Sequence, residues 1–217
     1  MYLPPHFNVK DQSHVGELIR AYPFASLISN DDEGLPFITP LPLHLLEEPS
    51  TGPDQADFLL LGHCAKPNPH WRYLQARPQA VVTFMGPHAY MTPRVYPDLT
   101  RVPTWNYLTV HCTVEARLVE SFTDKDRLLK HLIHDHDPAY ADQWRALPED
   151  YQQKMMGGIV AFELRVIHMQ CKLKLNQHRP EAHAAMHQAY SAGNDDERAL
   201  AAWMERLGMT TSSGASA

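Results

Sequence analysis

The sequence of 217 residues predicts a mainly β protein of the α+β class, a barrel or sandwich with helices packed outside it. Three observations carry this. Short apolar or alternating runs, six or more of them, are separated by segments rich in turn-forming residues. Helical patterns are sparse. No G-x-G-x-x-G follows a strand-like run, so a dinucleotide-binding parallel sheet is not indicated.

In chain order, residues 11–21 read as a short helix capped by Asp11 or Ser13, with Val15, Leu18 and Ile19 facing inward. Strand-like runs follow at 24–29, 35–39 and 41–46, and residues 30–34 (NDDEG) form the turn between the first two. Residues 47–57 read as a Pro/Ser/Gly loop. The apolar run 58–62 is a strand that leads through a turn into a helix from Pro69. Further strands are expected at 80–85, 88–92 and 105–120, with a Pro-rich connection at 93–103. Thr123, with Asp126 completing a capping box, opens a helix to about His136 whose stripe is Leu128, Leu129, Leu132 and Ile133. A helix from about Glu149 stops at Gly157-Gly158, and 159–169 is a long strand. Past Pro180 the spacing is helical again. Asn194, with Glu197 three residues on, caps a last helix carrying Leu200, Trp203 and Leu207, and 210–217 reads as a disordered tail.

Composition bounds the function. No run of eighteen apolar residues occurs, so no membrane span is expected, and the first residues lack the pattern of a secretory signal. Three widely spaced cysteines without C-x-x-C (Cys64, Cys112, Cys171) fit reduced thiols in a cytoplasm. The formal charge of −6, with no broad basic patch, argues against a direct grip on DNA.

The most informative stretch is 103–113, PTWNYLTVHCT. With period two, Leu108, Val110, Cys112 and then Val114 take one face, and Trp105, Tyr107, Thr109 and His111 the other. Two large aromatics, a hydroxyl and an imidazole suit an outer face that meets a partner subunit, an aromatic cofactor, or both. The adjoining 86–93 (GPHAYMTP) alternates His88, Tyr90 and Thr92, which fits either the same pocket or an ordinary edge strand.

Two further segments carry chemistry. In 63–71 (HCAKPNPHW), Asn68 and Pro69 suit a helix start, whose free N–H groups with Lys66 and His63 beside them form a place for a phosphate; the alternative is a plain capped helix. In 172–180 (KLKLNQHRP), Lys172, Lys174 and Asn176 alternate with Leu173 and Leu175. Cations beside amides suit a flavin ring or its phosphate, and lysines also defend a solvated edge strand. Fourteen histidines include His131, His134 and His136 near one helix end and His183 and His187 at i, i+4. Helix-terminal histidines are favoured electrostatically without any metal, and no ligand motif accompanies them, so no metal site is expected. Nor is there a G-x-S-x-G nucleophile motif.

Six segments together resemble the PaiB family of FMN-binding split-barrel proteins, known as negative transcriptional regulators of sporulation and protease synthesis. They are residues 1–7 (MYLPPHF), 22–27 (YPFASL), 62–71 (GHCAKPNPHW), 86–93 (GPHAYMTP), 102–111 (VPTWNYLTVH) and 172–180 (KLKLNQHRP), in order over about residues 1–185. Against the family pattern, Leu173, Asn176 and His178 stand where Trp, Ser and Asn are usual, and 92–96 reads TPRVY. The resemblance implies a six-stranded split barrel over 1–180 with peripheral helices and a homodimer with FMN in grooves at the interface; the helical spacing past Pro180 adds a C-terminal extension over 181–209, which past about residue 190 has no counterpart in the family. For the phosphate the candidates are His63, Lys66 and Asn68. For the ring they are Trp105, Tyr107, His111, Lys172, Lys174 and Gln177. Three functions fit: regulation with flavin as ligand or sensor, an FMN-dependent oxidoreductase resembling flavin reductases and pyridoxamine-phosphate oxidases, or a structural or interaction protein whose flavin groove has decayed.

Overall fold

A computed structural model of the chain describes residues 1–48, 57–98 and 100–210. Most of the expected 47–57 loop and the tail from 211 lie outside these residues. The strands are β1 (Phe24–Asn30), β2 (Pro36–Pro42), β3 (His44–Glu48), β4 (Asp57–Ala65), β5 (Gln79–Met91), β6 (Thr104–Val119) and β7 (Ile159–Lys174). The α-helices are α1 (Gln12–Ala21), α2 (His70–Ala76), α3 (Phe122–His136), α4 (Tyr140–Ala146), α5 (Glu149–Gly157), α6 (His183–Ser191) and α7 (Asp195–Arg206).

The seven strands make one sheet in the order β2-β1-β5-β6-β7-β4-β3, one strand more than the six expected. β1 pairs antiparallel with β2 and β5, and β4 pairs antiparallel with β3 and β7. The predicted runs regroup for local reasons. Residues 35–46 divide at Leu43 rather than at Pro40, so Pro36, Pro40 and Pro42 all belong to β2. That strand is at the sheet edge, where a proline's missing N–H costs no ladder bond. The runs 80–85 and 88–92 fuse into β5, because Gly86 and Pro87 do not turn the chain. They are two consecutive buried residues that shift the inward phase from Val82 and Phe84 to Ala89 and Met91, as a bulge does.

The chain divides into two compact units, and each of the three longest strands gives a segment to both. The larger holds 12–84 and 111–169. Its apolar clusters include Leu61 and Ala161 from β4 and β7 with Val119, covered by Leu128 and Leu132 of α3. The predicted stripe of α3 is therefore the buried one, but its cap is Ser121, whose Oγ accepts from the Asp124 N–H at 3.1 Å, and not Thr123. Helix α4, which the sequence reading lacked, buries Trp144 and donates its indole N–H to Asp126. In β4, Gly62 is a required glycine: a Cβ there meets Leu43 Cδ2 at 2.5 Å and Phe162 Cε2 at 3.1 Å.

The smaller unit holds 1–11, 85–110 and 170–217. Leu108, Val110, Leu173 and Leu175 are fully buried with Met186, Leu200 and Met204 of α6 and α7. The expected capping box of α7 is present in both directions, Asn194 with Glu197. The two C-terminal helices thus fold in one unit with the N-terminal residues and the first half of β6. The N-terminal segment joins it through an Asn8–Lys172 bridge and a bond from the Val9 N–H to the Cys171 carbonyl. Among the described residues no helix is long and apolar enough to cross a membrane.

Candidate functional site

In the smaller unit, β6 and β7 bring four of the predicted residues together. Leu108, Val110 and Cys112 are buried in the core as expected, and Trp105 and Tyr107 lie on the opposite face. The Trp105 indole is about half exposed, and His88 and Tyr90 of β5 approach it with ring centroids 6.3 and 6.1 Å away. Tyr107 is half-buried because two ammonium groups lie against its ring, Lys172 Nζ at 5.2 Å and Lys174 Nζ at 5.7 Å. Lys172 is buried and donates to the Tyr2 carbonyl at 3.1 Å. Lys174 donates to Thr104 Oγ1 at 2.5 Å and to the Trp105 carbonyl at 2.6 Å. Burial, with the Lys172 charge next, holds Lys174 below the usual lysine pKa. Among the described residues neither lysine has a carboxylate at ion-pair distance. Two cations stabilised by carbonyls, a hydroxyl and a π face leave their charge uncompensated and ready for an anion.

Other members of the set are used locally. The Gln177 amide turns back on its own chain, donating to the Leu173 carbonyl and accepting from the Leu175 N–H, so it closes the end of β7. Thr109, expected on the outer face, is buried. Asn176 lies beyond the strand at φ 64°, a left-handed conformation that asparagine tolerates, and it pairs with the Tyr96 hydroxyl.

In the larger unit, β4 runs into the turn at 66–69. Helix α2 starts at His70, one residue later than expected, with Pro69 rather than Asn68 at its N-cap, and Asn68 Oδ1 accepts from the His70 N–H at 3.0 Å. The Asn68 amide also donates to Thr39 Oγ1 at 3.1 Å, so it is a framework group. The Lys66 carbonyl accepts from the Trp71 indole at 3.0 Å, while its ammonium is exposed and unpaired among the described residues. His63 is half-buried with Nδ1 unpaired, and burial lowers its pKa. His111, on the second half of β6, is half-buried and likewise lowered by burial. The three cysteines are buried and not joined in disulfides, with the Cys171 thiol pushed up to about 12 by burial. At the helix-terminal histidines, His131 stacks on His44 with centroids 5.0 Å apart, and His44 Nδ1 pairs with Asp135.

Several polar groups were missed. Asn106 is fully buried, and its amide donates to Tyr190 Oη at 2.9 Å in α6. Its position was legible, since a polar residue in phase with Leu108 and Val110 has to find an internal partner. Arg101, which pairs with Asp98 at 2.9 Å and stacks on Tyr96 at 5.2 Å, had no sequence signal.

A flavin mononucleotide needs cations for its phosphate, polar groups for its pyrimidine edge and a flat surface for its ring. In the smaller unit Lys172, Lys174 and the open indole of Trp105 offer charge and flat surface; in the larger unit, among the described residues, the Lys66 ammonium and His63 Nδ1 have no partner. Residues 1–168 match the model of the family described as "Putative FMN-binding domain". The chain is also 30% identical over 189 residues to "Protease synthase and sporulation protein PAI 2" of Bacillus subtilis, covering 83% of this chain and 84% of that protein. Two solved structures share the fold at low identity. The FAD and heme binding protein of Mycobacterium smegmatis has TM-score 0.59 and 16% identity, over 77% of this chain and 73% of its own. The flavocytochrome Anf3 of Azotobacter vinelandii has TM-score 0.60 and 17% identity, over 77% and 69%. The chain belongs to the FMN-binding domain family, and FMN is its cofactor.

Proposed function

We propose that this protein is a cytoplasmic FMN-binding homodimer with a split-barrel core, acting in negative regulation with the flavin as ligand or sensor. The observation that carries the reading is the pair of lysines, Lys172 and Lys174, on the Tyr107 ring without a carboxylate. Bound FMN supplies a redox-active ring, and the protein's part is to bind and orient it. Lys172 and Lys174 offer charge to an anionic ring, Trp105 and Tyr107 offer flat surface, and His63 and Lys66 are assigned to the phosphate, with Asn68 holding the turn through Thr39 and His70. Charge of −6 favours regulation through a protein partner or a metabolite over direct contact with DNA. The homodimer draws support from an exposed apolar row across three strands of the larger unit, where Ile28 pairs with Ile38 and Val81.

A second reading, an FMN-dependent oxidoreductase, is favoured by the cavity of about 450 Å³ that Lys174 lines, which has room for a small molecule. Purification and absorbance spectroscopy, followed by FMN titration and anaerobic addition of a reduced nicotinamide, test both. Stoichiometric FMN that resists bleaching supports the sensor, and rapid bleaching supports the oxidoreductase. A protein that takes up no FMN defeats both.

A further inference from the structure

The cavity that Lys174 lines in the smaller unit extends past the residues proposed for the flavin to Arg101 and Arg179. Three of its described lining residues are cationic, Lys174, Arg101 and Arg179, and none is a carboxylate. The carboxylates that serve these guanidinium groups lie outside the lining. Asp98 holds Arg101 at 2.9 Å, and Glu181 stands 3.7 Å from Arg101 and 3.9 Å from Arg179. Such outer partners orient the cations without filling the space in front of them. Behind the lining, the Arg101 Nε and Asn106 Oδ1 atoms are fully buried and without a partner, so it is the guanidinium ends and the Lys174 ammonium that face the space. The remaining surface is flat and partly apolar. Phe7 is buried, its ring 5.6 Å from that of His178, and Tyr96 lies under Arg101.

We infer that this cavity binds a small organic anion, a carboxylate or a phosphate, that has a planar body. Arg101 and Arg179 take the anionic group, beside Lys174. The inference goes beyond the flavin reading and needs no bound FMN.

Isothermal titration of the full-length protein, with and without FMN, tests it using 4-hydroxybenzoate, phenyl phosphate and neutral 4-hydroxybenzyl alcohol. One anion per chain is expected to bind saturably in both forms, with the alcohol at least tenfold weaker; the tighter of the two anions identifies the head group. Arg101→Gln should weaken the anion at least tenfold and leave FMN affinity within twofold. Val102→Glu makes the same test on a residue that lines the cavity mouth yet is 78% exposed, where folding is not at stake. Absence of saturable anion binding, equal binding of the alcohol, or unchanged affinity in both folded variants overturns the inference. So does mutual displacement of anion and FMN, which would make the cavity the flavin's own. Anion binding by a chain that takes up no FMN would sink the flavin reading and leave this one standing.

Discussion

Lys172 and Lys174 share one partner: their ammonium nitrogens lie 5.2 and 5.7 Å from the centroid of the Tyr107 ring. Like charges at alternate strand positions repel, and Lys174 feels this directly, since the Lys172 charge helps to lower its pKa. The ring and the surrounding carbonyls hold the pair in place. Replacing the phenol by an aliphatic group removes the shared face while keeping much of the bulk. Tyr107→Leu is therefore expected to cost about 1–2 kcal/mol of stability in urea denaturation, the scale of two partly desolvated cation–π contacts. It should also weaken FMN measurably by flavin fluorescence. Unchanged values in both experiments would remove the ring from the site.

Lys66 presents a separate test of the phosphate assignment. Its ammonium has no described partner, so its removal leaves the fold alone. Lys66→Ala is expected to weaken FMN by about 1.5–3 kcal/mol, as for a lost charge-assisted hydrogen bond. Fluorescence quenching reads the affinity, and riboflavin, which lacks the phosphate, should show no difference between variant and parent.

His70 should make stability depend on pH. The ring is buried, with Nδ1 2.7 Å from Thr39 Oγ1 and Nε2 without a partner, and burial lowers its pKa from 6.5 to about 4. Between these values the unfolded chain binds a proton that the folded chain refuses. Stability from this group is thus complete above pH 6.5, falls as pH drops, and levels off below about 4, a loss on the order of 3 kcal/mol. Urea midpoints at pH 4.5 and 7 should differ less in His70→Asn than in the parent protein.

The bond between Asn106 and Tyr190 ties β6 to the C-terminal helices. Burial pushes the Tyr190 hydroxyl up to about 12, so it remains a neutral hydrogen-bonding group. Tyr190→Phe takes from a fully buried amide its oxygen acceptor, leaving it only Met186 Sδ at 3.2 Å, and is expected to cost about 1–3 kcal/mol. Thermal denaturation measures this, and a double variant with Asn106→Leu should recover part of the loss, because neither group is then left unpaired.

Gly62 packs where a methyl group has no room, against Leu43 and Phe162. Gly62→Ala should destabilise by about 1–3 kcal/mol, the usual cost of overpacking, although β4 otherwise favours a residue with a side chain. A variant with unchanged urea midpoint would show that Leu43 moves freely.

Local pattern determined much of this protein. The period-two burial of Leu108, Val110 and Cys112, the stripe of Leu128 and Leu132, and the Asn194–Glu197 cap each follow from spacing that a single element imposes on itself. The placing of Trp105 and Tyr107 on the face opposite Leu108 was legible for the same reason. Tertiary structure decided the rest. Whether Gly86-Pro87 turns or bulges depends on the strands beside it, and β5 runs straight through. The Gln177 amide looks free in the sequence, but the turn after β7 brings two backbone groups to it. Arg101, Asn106 and Lys174 are far apart in the chain, and they line one cavity only because the N-terminal residues, β6 and the end of β7 fold into one unit. Periodicity states which way a side chain points; the partner that it meets is fixed by long-range packing.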